Sequence, residues 1–445
     1  MPRRRPRAPR LRWWLDGNSW CDGTRSVPAI ESFRRFRYSV DVHTELTASR
    51  LLAWRLAVFA IFTASGLSIA TWASRVPSIK AALDIDNSAI GLLLLGMGAA
   101  SILGLSSASV IAARVGTRRG MLAVMLVLAT GLALIGVGTD VVPALPLVLV
   151  GLALFGFGNG ALDVMMNVDG AAIEVEVGKT ILPLFHAFFS FGTVIGAGIG
   201  AAAAGARIGV FPHTVTIAIA IVVIAVISFV YVPQRTFGAP DDAPSGWRDR
   251  LATALSAWRE PRTYVLGIVM LGMAFAEGGA NDWMALGVSE DHGGGPALGA
   301  VALTVFSVAM TVFRVLGGPL VDRFGRVTTL RVLAATATIG ILLFILAPNM
   351  PLVFVGAALW GAGASLGFPL GMSAAADDPA RAAARVSAAA TIGYVAFLCG
   401  PPILGVISDH IGLLNTLYII VVLVAASGFA SAAAKPLPGT RGTSH

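Results

Sequence analysis

The chain has 445 residues, of which 56% are hydrophobic and only 13% charged, about half the charged share of an ordinary soluble domain. That balance, with a mean hydropathy of +0.79, excludes water as the main solvent of the fold. The net charge of +8 is what basic loops facing anionic lipid give and calls for no nucleic acid, and two cysteines, Cys21 and Cys399, supply neither a disulfide framework nor a zinc site.

Residues 1–50 open Met1-Pro2-Arg3-Arg4-Arg5-Pro6-Arg7 and stay polar, without an apolar stretch long enough for a signal peptide; they read as a disordered basic tail. Uncharged runs follow at 56–74, 87–113, 120–139, 141–162, 180–206 and 208–234. Each approaches the ~20 residues a helix needs to cross a bilayer core, so 51–232 reads as six crossings. The stretch 233–261, with Pro240, Asp241, Asp242, Pro244, Ser245 and Gly246, reads as a cytoplasmic linker. Beyond it, 263–289 has the right length but carries Glu277 and Asp282, and 292–313 is uncharged. The run 332–376 is divided by Ala347-Pro348-Asn349-Met350-Pro351, and 386–408 and 410–434 complete a second six over 262–434, before a tail at 435–445. None of these runs has the alternating polarity of ~10-residue barrel strands. The expected fold is an all-α membrane protein of twelve transmembrane helices in two six-helix bundles.

Lys and Arg are retained on the cytoplasmic side of a membrane. Placing the N-terminus inside puts 28 of the 32 there and only Arg75, Lys80 and Arg207 outside, so a multi-pass protein of the inner membrane with both termini cytoplasmic is expected. The halves also repeat. Arg114-Val115-Gly116-Thr117-Arg118-Arg119 follows the second helix and Gly318-Pro319-Leu320-Val321-Asp322-Arg323-Phe324-Gly325-Arg326 the eighth, with Arg114 and Arg323 separated by 209 residues. Gly156-Phe157-Gly158-Asn159-Gly160 in the fourth helix and Gly361-Ala362-Gly363-Ala364-Ser365 in the tenth are 205 apart. A near-constant offset points to a duplicated bundle.

The run Gly318-x-x-x-Asp322-Arg323-x-Gly325-Arg326 resembles the loop signature of the major facilitator superfamily, at its place between helices eight and nine; the first-half copy has Ser109 and Ala113 where Gly and Asp are expected. A narrower resemblance lies in Asn159-Gly160-Ala161-Leu162-Asp163-Val164-Met165-Met166-Asn167 and Pro183-Leu184-Phe185-His186-Ala187-Phe188-Phe189-Ser190-Phe191-Gly192, similar to the fucose-permease-like branch, above all its rhizopine-transporter-like members. In fucose permeases a fourth-helix carboxylate followed four residues later by Asn takes part in proton coupling, and the resemblance implies that role for Asp163 with Asn167. Those permeases also carry an aspartate in the first helix, whereas Leu56 to Ser74 contains no acid. The loop signature implies gating by Gly318, Asp322, Arg323, Gly325, Arg326 and Arg114, with glycine for tight packing and Asp322 accepting hydrogen bonds from a neighbouring helix N-terminus.

An ionisable group inside a membrane costs about 2.5–3.5 kcal/mol on insertion scales and normally faces a cavity or partner. Glu277 is the leading case, midway between Arg262 and Glu290, and can be loaded with a proton from one side and emptied to the other. It and Asp163 are the expected proton-coupling residues; the alternatives are a paired acid pinning the seventh helix and an interhelical hydrogen bond for Asp163. Asn159, Asp163 and Asn167 share one helical face and should line a central cavity. With His186, which shares a face with Ser190 and equally fits a satisfied structural histidine, and with Asn281 and Trp283 they are the expected substrate contacts, amides and indole suiting sugar hydroxyls and rings. Trp72, Trp283 and Trp360 equally fit interfacial belts, Trp72 best. Gly192, Gly196 and Gly200 form two GxxxG steps that read as packing. Arg314 reads as part of a cytoplasmic charge network within reach of Asp322, and Arg75 and Lys80 as a solvated outer rim.

No phosphate-binding loop and no GxSxG or HExxH motif is present, so no enzyme and no cofactor is expected. The sequence reads as a monomeric secondary transporter moving a small polar, possibly sugar-like solute by alternating access, with protons and membrane lipid as its other partners and proton symport as the coupling. The alternatives are a proton-driven antiporter exporting drug-like or metabolic compounds and a non-transporting membrane receptor.

Overall fold

The computed structural model describes residues 47–178, 181–235, 256–378 and 381–436; the expected basic tail up to residue 46, most of the linker and the last nine residues lie outside the described residues. Every described transmembrane element is helical, as a bilayer requires of chains that must satisfy their own backbone groups. The first half contains α1 (Ala48–Leu83), a long helix Asn87–Gly136, α4 (Leu145–Val177), α5 (Leu182–Gly205) and α6 (Val210–Tyr231). The long helix breaks at Gly116, whose φ of 80° and ψ of 162° are not helical; it is therefore two crossings, α2 (87–115) and α3 (117–136). The second half contains α7 (Pro261–Ser289), α8 (Gly295–Val315), α9 (Arg326–Leu346), α10 (Met350–Ala375), α11 (Ala382–Ile411) and α12 (Leu413–Ala434). A short helix, Gly317–Phe324, continues α8.

The repeat is structural as well as sequential. Gly325 adopts φ 78°, ψ 158°, the same left-handed break as Gly116 at the matching loop. A Cβ on Gly131 would lie 2.5 Å from the Gly151 carbonyl oxygen, and one on Gly340 2.9 Å from that of Gly356. Gly156 and Gly361 likewise leave no room, against Met97 and Phe306 carbonyls at 2.2 Å each. With lipid as apolar as the side chains, helices associate by close backbone approach at small residues, and both halves use the same small residues. The GxxxG steps of α5 do the same against α1: Cβ atoms on Gly192 and Gly196 would fall 2.2 and 2.6 Å from the carbonyls of Thr63 and Leu67.

The loops carrying Arg114, Arg118, Arg119, Arg323 and Arg326 fall on one side of the bundle, here called the basic face. On that face Asp377, past the end of α10, accepts from Arg262 at 2.8 Å and Arg326 at 2.9 Å. In the first half Asp169, 1% exposed, is buried beside Trp54, Thr117 and Arg235 at the corresponding end of α4. The tryptophans are not a belt: Trp72, Trp283 and Trp360 are 2%, 0% and 0% exposed, and the Trp360 indole donates to the Ala276 carbonyl at 2.9 Å. Their area is better used filling the bundle cores than sitting at headgroup level.

Candidate functional site

Asn159, Asp163 and Asn167 on α4 are all partly accessible while their flanking residues Gly158, Leu162 and Met166 are buried, the one-faced stripe that helical spacing requires. The Asn159 side-chain amide oxygen accepts from the Ser65 hydroxyl of α1 at 2.8 Å. Asn167 donates to the Asp163 backbone carbonyl at 2.8 Å and to its carboxylate at 3.3 Å. Asp163 faces the other half, close enough for its charge to act on the Tyr394 hydroxyl of α11. Tyr394 stands in a row of rings, 5.5 Å from Phe368 and 6.4 Å from Phe397.

The second cluster is built around Arg314 of α8. Its guanidinium donates to the Glu277 carboxylate of α7 at 2.7 Å, to the Ser365 carbonyl of α10 at 3.1 Å and to the Ser190 hydroxyl of α5 at 3.2 Å. The Ser190 contact crosses from one half to the other. Glu277 and Arg314 side chains are 18% and 20% exposed, so the pair is neither sealed nor free. Arg314 thus does not join the expected charge network at Asp322: it lies before the short helix Gly317–Phe324 and pairs with Glu277 instead. His186 of α5 lies on this side, edge-on to Phe62 at 5.4 Å and within reach of the Arg314 charge.

Beyond Glu277, α7 opens into a π-helical turn, Ala280–Met284, a wider winding that often marks functional positions in helices. Asn281 and Asp282 within it are partly accessible. Trp283 is fully enclosed, so it does not reach the space between the halves and is corrected from substrate contact to core residue.

Two further expectations change. Asp322 and Arg323 are exposed, Arg323 stacks on its own neighbour Phe324 at 5.4 Å, and a Cβ on Gly318 would meet nothing within 4 Å; Asp322 reaches no helix N-terminus, and Arg114 is exposed as well. Of the expected gating residues only Arg326 is engaged, with Asp377. The other loop residues, Gly318, Asp322, Arg323, Gly325 and Arg114, are all exposed at the basic face. Arg75 is not a solvated rim residue either: it is 2% exposed and donates to the Ile208 carbonyl at 2.6 Å. Sequence reasoning missed the partners Ser190, Ser365 and Tyr394, because contacts across helices depend on how helices pack and leave no local spacing to read.

The family model of the Major Facilitator Superfamily matches residues 56–301 and 283–443. The chain belongs to the major facilitator superfamily. Superfamily relatives include an uncharacterized MFS-type transporter of Yersinia pestis, 30% identical over 367 residues covering 81% of this chain and 89% of that one. An uncharacterized transporter of Sinorhizobium fredii is 29% identical, covering 81% and 92%. Among solved folds, a variant of the nucleoside transporter NupG superposes with a TM-score of 0.70 at 14% identity, covering 87% of this chain and all of that one. FucP in its outward conformation gives 0.61 at 16%, covering 86% and 98%. This superfamily member is a multi-pass membrane transporter and not an enzyme.

Proposed function

We propose that this transporter imports a small polar, sugar-like solute by proton symport, its two halves rocking about the space between α4 and α7, in an inner membrane with the basic face cytoplasmic. The observation that carries the reading is Arg314, which holds Glu277 at 2.7 Å and Ser190 of the opposite half at 3.2 Å. A carboxylate whose paired cation also touches the other bundle ties its charge state to the position of the bundles. Protonating Glu277 removes the ion pair, frees Arg314 to re-aim, and weakens the cross-bundle contact at the same moment. Asp163, with Asn167 as its donor, is the second proton site. Asn159, Asn167, His186 and Asn281 supply amide and imidazole groups for hydroxyls, and the ring row of Phe368, Tyr394 and Phe397 supplies a face for a sugar ring. Two solved proteins of the same fold are a nucleoside transporter and a fucose:proton symporter.

One charge moving through 100 mV is worth ~2.3 kcal/mol, enough for roughly 50-fold accumulation of a neutral solute with one proton. The test is flux in proteoliposomes with external pH recorded. Symport gives solute-induced alkalinisation outside, and Glu277→Gln abolishes the pH dependence of uptake. Efflux driven by an inward proton gradient would establish antiport instead, and retention of the full pH dependence in both Glu277→Gln and Asp163→Asn would refute the coupling residues.

A further inference from the structure

Two buried side chains near the end of α1 away from the basic face belong to neither cluster described above. Arg75 of α1 is 2% exposed and His213, in the first turn of α6, is 4% exposed. One nitrogen of the Arg75 guanidinium donates to the Ile208 carbonyl at 2.6 Å. Its Nε and Nη1 find no hydrogen-bond partner among the described residues, and neither does either ring nitrogen of His213. The two side chains are close enough for the Arg75 charge to act on the imidazole. Asp140, in the π-helical turn Val137–Val141 that follows α3, is the carboxylate whose charge reaches Arg75. It accepts instead from the Phe211 amide at 2.8 Å and makes no hydrogen bond to the guanidinium. A guanidinium keeps its charge at any physiological pH, and burying a charge is costly unless it is paired and hydrogen-bonded. The surroundings are closely fitted. Gly200, the last glycine of the GxxxG steps on α5, faces this spot: a Cβ there would run into the Ser74 side chain and lie 3.8 Å from His213 Cε1. The connection from α5 to α6 is strained beside it, since Arg207, next to the Ile208 carbonyl that takes the Arg75 bond, adopts φ 57°, a left-handed conformation that costs a residue with a side chain.

We infer that Arg75 and His213 form a binding site for a small monovalent anion of the size of chloride, inside the first half alone and at the end of the bundle opposite the basic face. The donor set selects the ligand. The guanidinium Nε–H and Nη1–H can only donate, and an imidazole adds a donor from one of its nitrogens, so the ligand has to accept and to carry negative charge. A metal cation would meet the guanidinium charge and is excluded. The Ser74 hydroxyl is already used on the Thr71 carbonyl at 3.0 Å, and its contact with α5 at Gly200 leaves no space for a bulky ion. Asp140 limits the charge: a doubly charged anion beside that carboxylate would be repelled more than one guanidinium offsets, whereas a single negative charge is tolerated. The bound anion ties α1 to the first turn of α6 and holds the strained connection between α5 and α6 in place. None of the residues proposed to contact cargo or to couple protons takes part, so the site stands independently of the symport reading.

The experiment is thermal unfolding of the purified full chain in detergent at constant ionic strength, with chloride or bromide replacing gluconate stepwise. The melting temperature of the unaltered protein should rise saturably with either halide, and less with sulfate. Arg75→Gln and His213→Leu should each weaken halide binding by about tenfold or more, the loss of a charge-assisted hydrogen bond. Arg75→Lys, which keeps the charge without the planar fork, should lose less than Arg75→Gln, and Arg119→Gln, an exposed cation at the basic face, should lose nothing. Because Arg75→Gln can itself unfold the bundle, the position of the ion is read on the unaltered protein: crystals grown in bromide should show an anomalous peak between the Arg75 guanidinium and the His213 ring. Three results overturn the site: a melting temperature indifferent to which anion is present, a saturable halide effect that Arg75→Gln and His213→Leu leave intact, or bromide crystals with no peak at this position. No transport is measured, so failure of the proton-coupling test above and failure of this one are separate outcomes.

Discussion

Glu277 is a residue that composition alone isolates, because an acid in the middle of an apolar run has to be compensated. Its compensation was not legible: Arg314 lies 37 positions away on the next helix, and no periodicity connects positions on separate helices. The pair makes a specific prediction. Removing one member of a buried ion pair costs about 3–5 kcal/mol, and water reaching side chains that are 18% and 20% exposed should reduce this to roughly 2 kcal/mol. Arg314→Gln, which leaves a lone carboxylate, should therefore lower thermal stability clearly, and Glu277→Gln should do so as well. The double variant should be more stable than the sum of the two losses predicts, since it leaves no orphaned charge. A thermal-unfolding cycle in detergent measures the coupling; strict additivity would mean that the contact is not formed.

At the scale of elements, what the sequence shows most clearly is apolar length, and the twelve crossings follow from it. It shows helix boundaries less well: Arg114, Arg118 and Arg119 mark a loop between α2 and α3, but not that helix continues through them and breaks only at Gly116. Whether a glycine is there for packing is read from its neighbours across the interface. Gly192 and Gly198 lie on the same helix, yet a Cβ on Gly192 would sit 2.2 Å from the Thr63 carbonyl, while one on Gly198 meets nothing within 4 Å. Gly192→Val should push α5 off α1 and cost at least the roughly 1–3 kcal/mol of overpacking, seen as lost expression or melting temperature, whereas Gly198→Ala should be neutral. The junction of α7 and α11 at the basic face gives a pH-dependent case. Burial pushes the Glu260 carboxyl up, but hydrogen bonds and charge from Arg385 at 2.7 Å and Arg381 at 2.9 Å outweigh it and hold the group below the usual range. A carboxylate depressed in the fold contributes stability that is fully present above its unfolded pKa, ~4.3, and is lost as pH falls through the folded value. Glu260→Gln should therefore lower the melting temperature at pH 7, and the difference from the unaltered protein should vanish in strongly acidic buffer; a difference that persists there would mean the arginines do not act on this carboxylate.

For the whole molecule, duplication was legible as a constant sequence offset, and the same glycines are found doing the same packing in both halves. Where the two halves touch was not, because contacts between halves join helices far apart in the chain and leave no local spacing to read. The clearest such contact is at Gly91, pressed against α11 at the face opposite the exposed Asp322. A Cβ on Gly91 would lie 2.8 Å from the Pro401 carbonyl and 2.9 Å from the Pro402 Cα, backbone atoms that cannot turn aside as a side chain would. Gly91→Leu should thus act as a wedge at the outer face, tilting the balance toward the outward-open arrangement without disturbing either bundle, because Gly91 packs against the opposite half. The variant should fold, keep its helicity and lose uptake. A maleimide reagent added from outside should label a cysteine placed at Asn281 faster than in the unwedged protein. Slow labelling together with lost uptake would instead mean that the substitution collapses the site, and that closure at Gly91 is not what separates the two states.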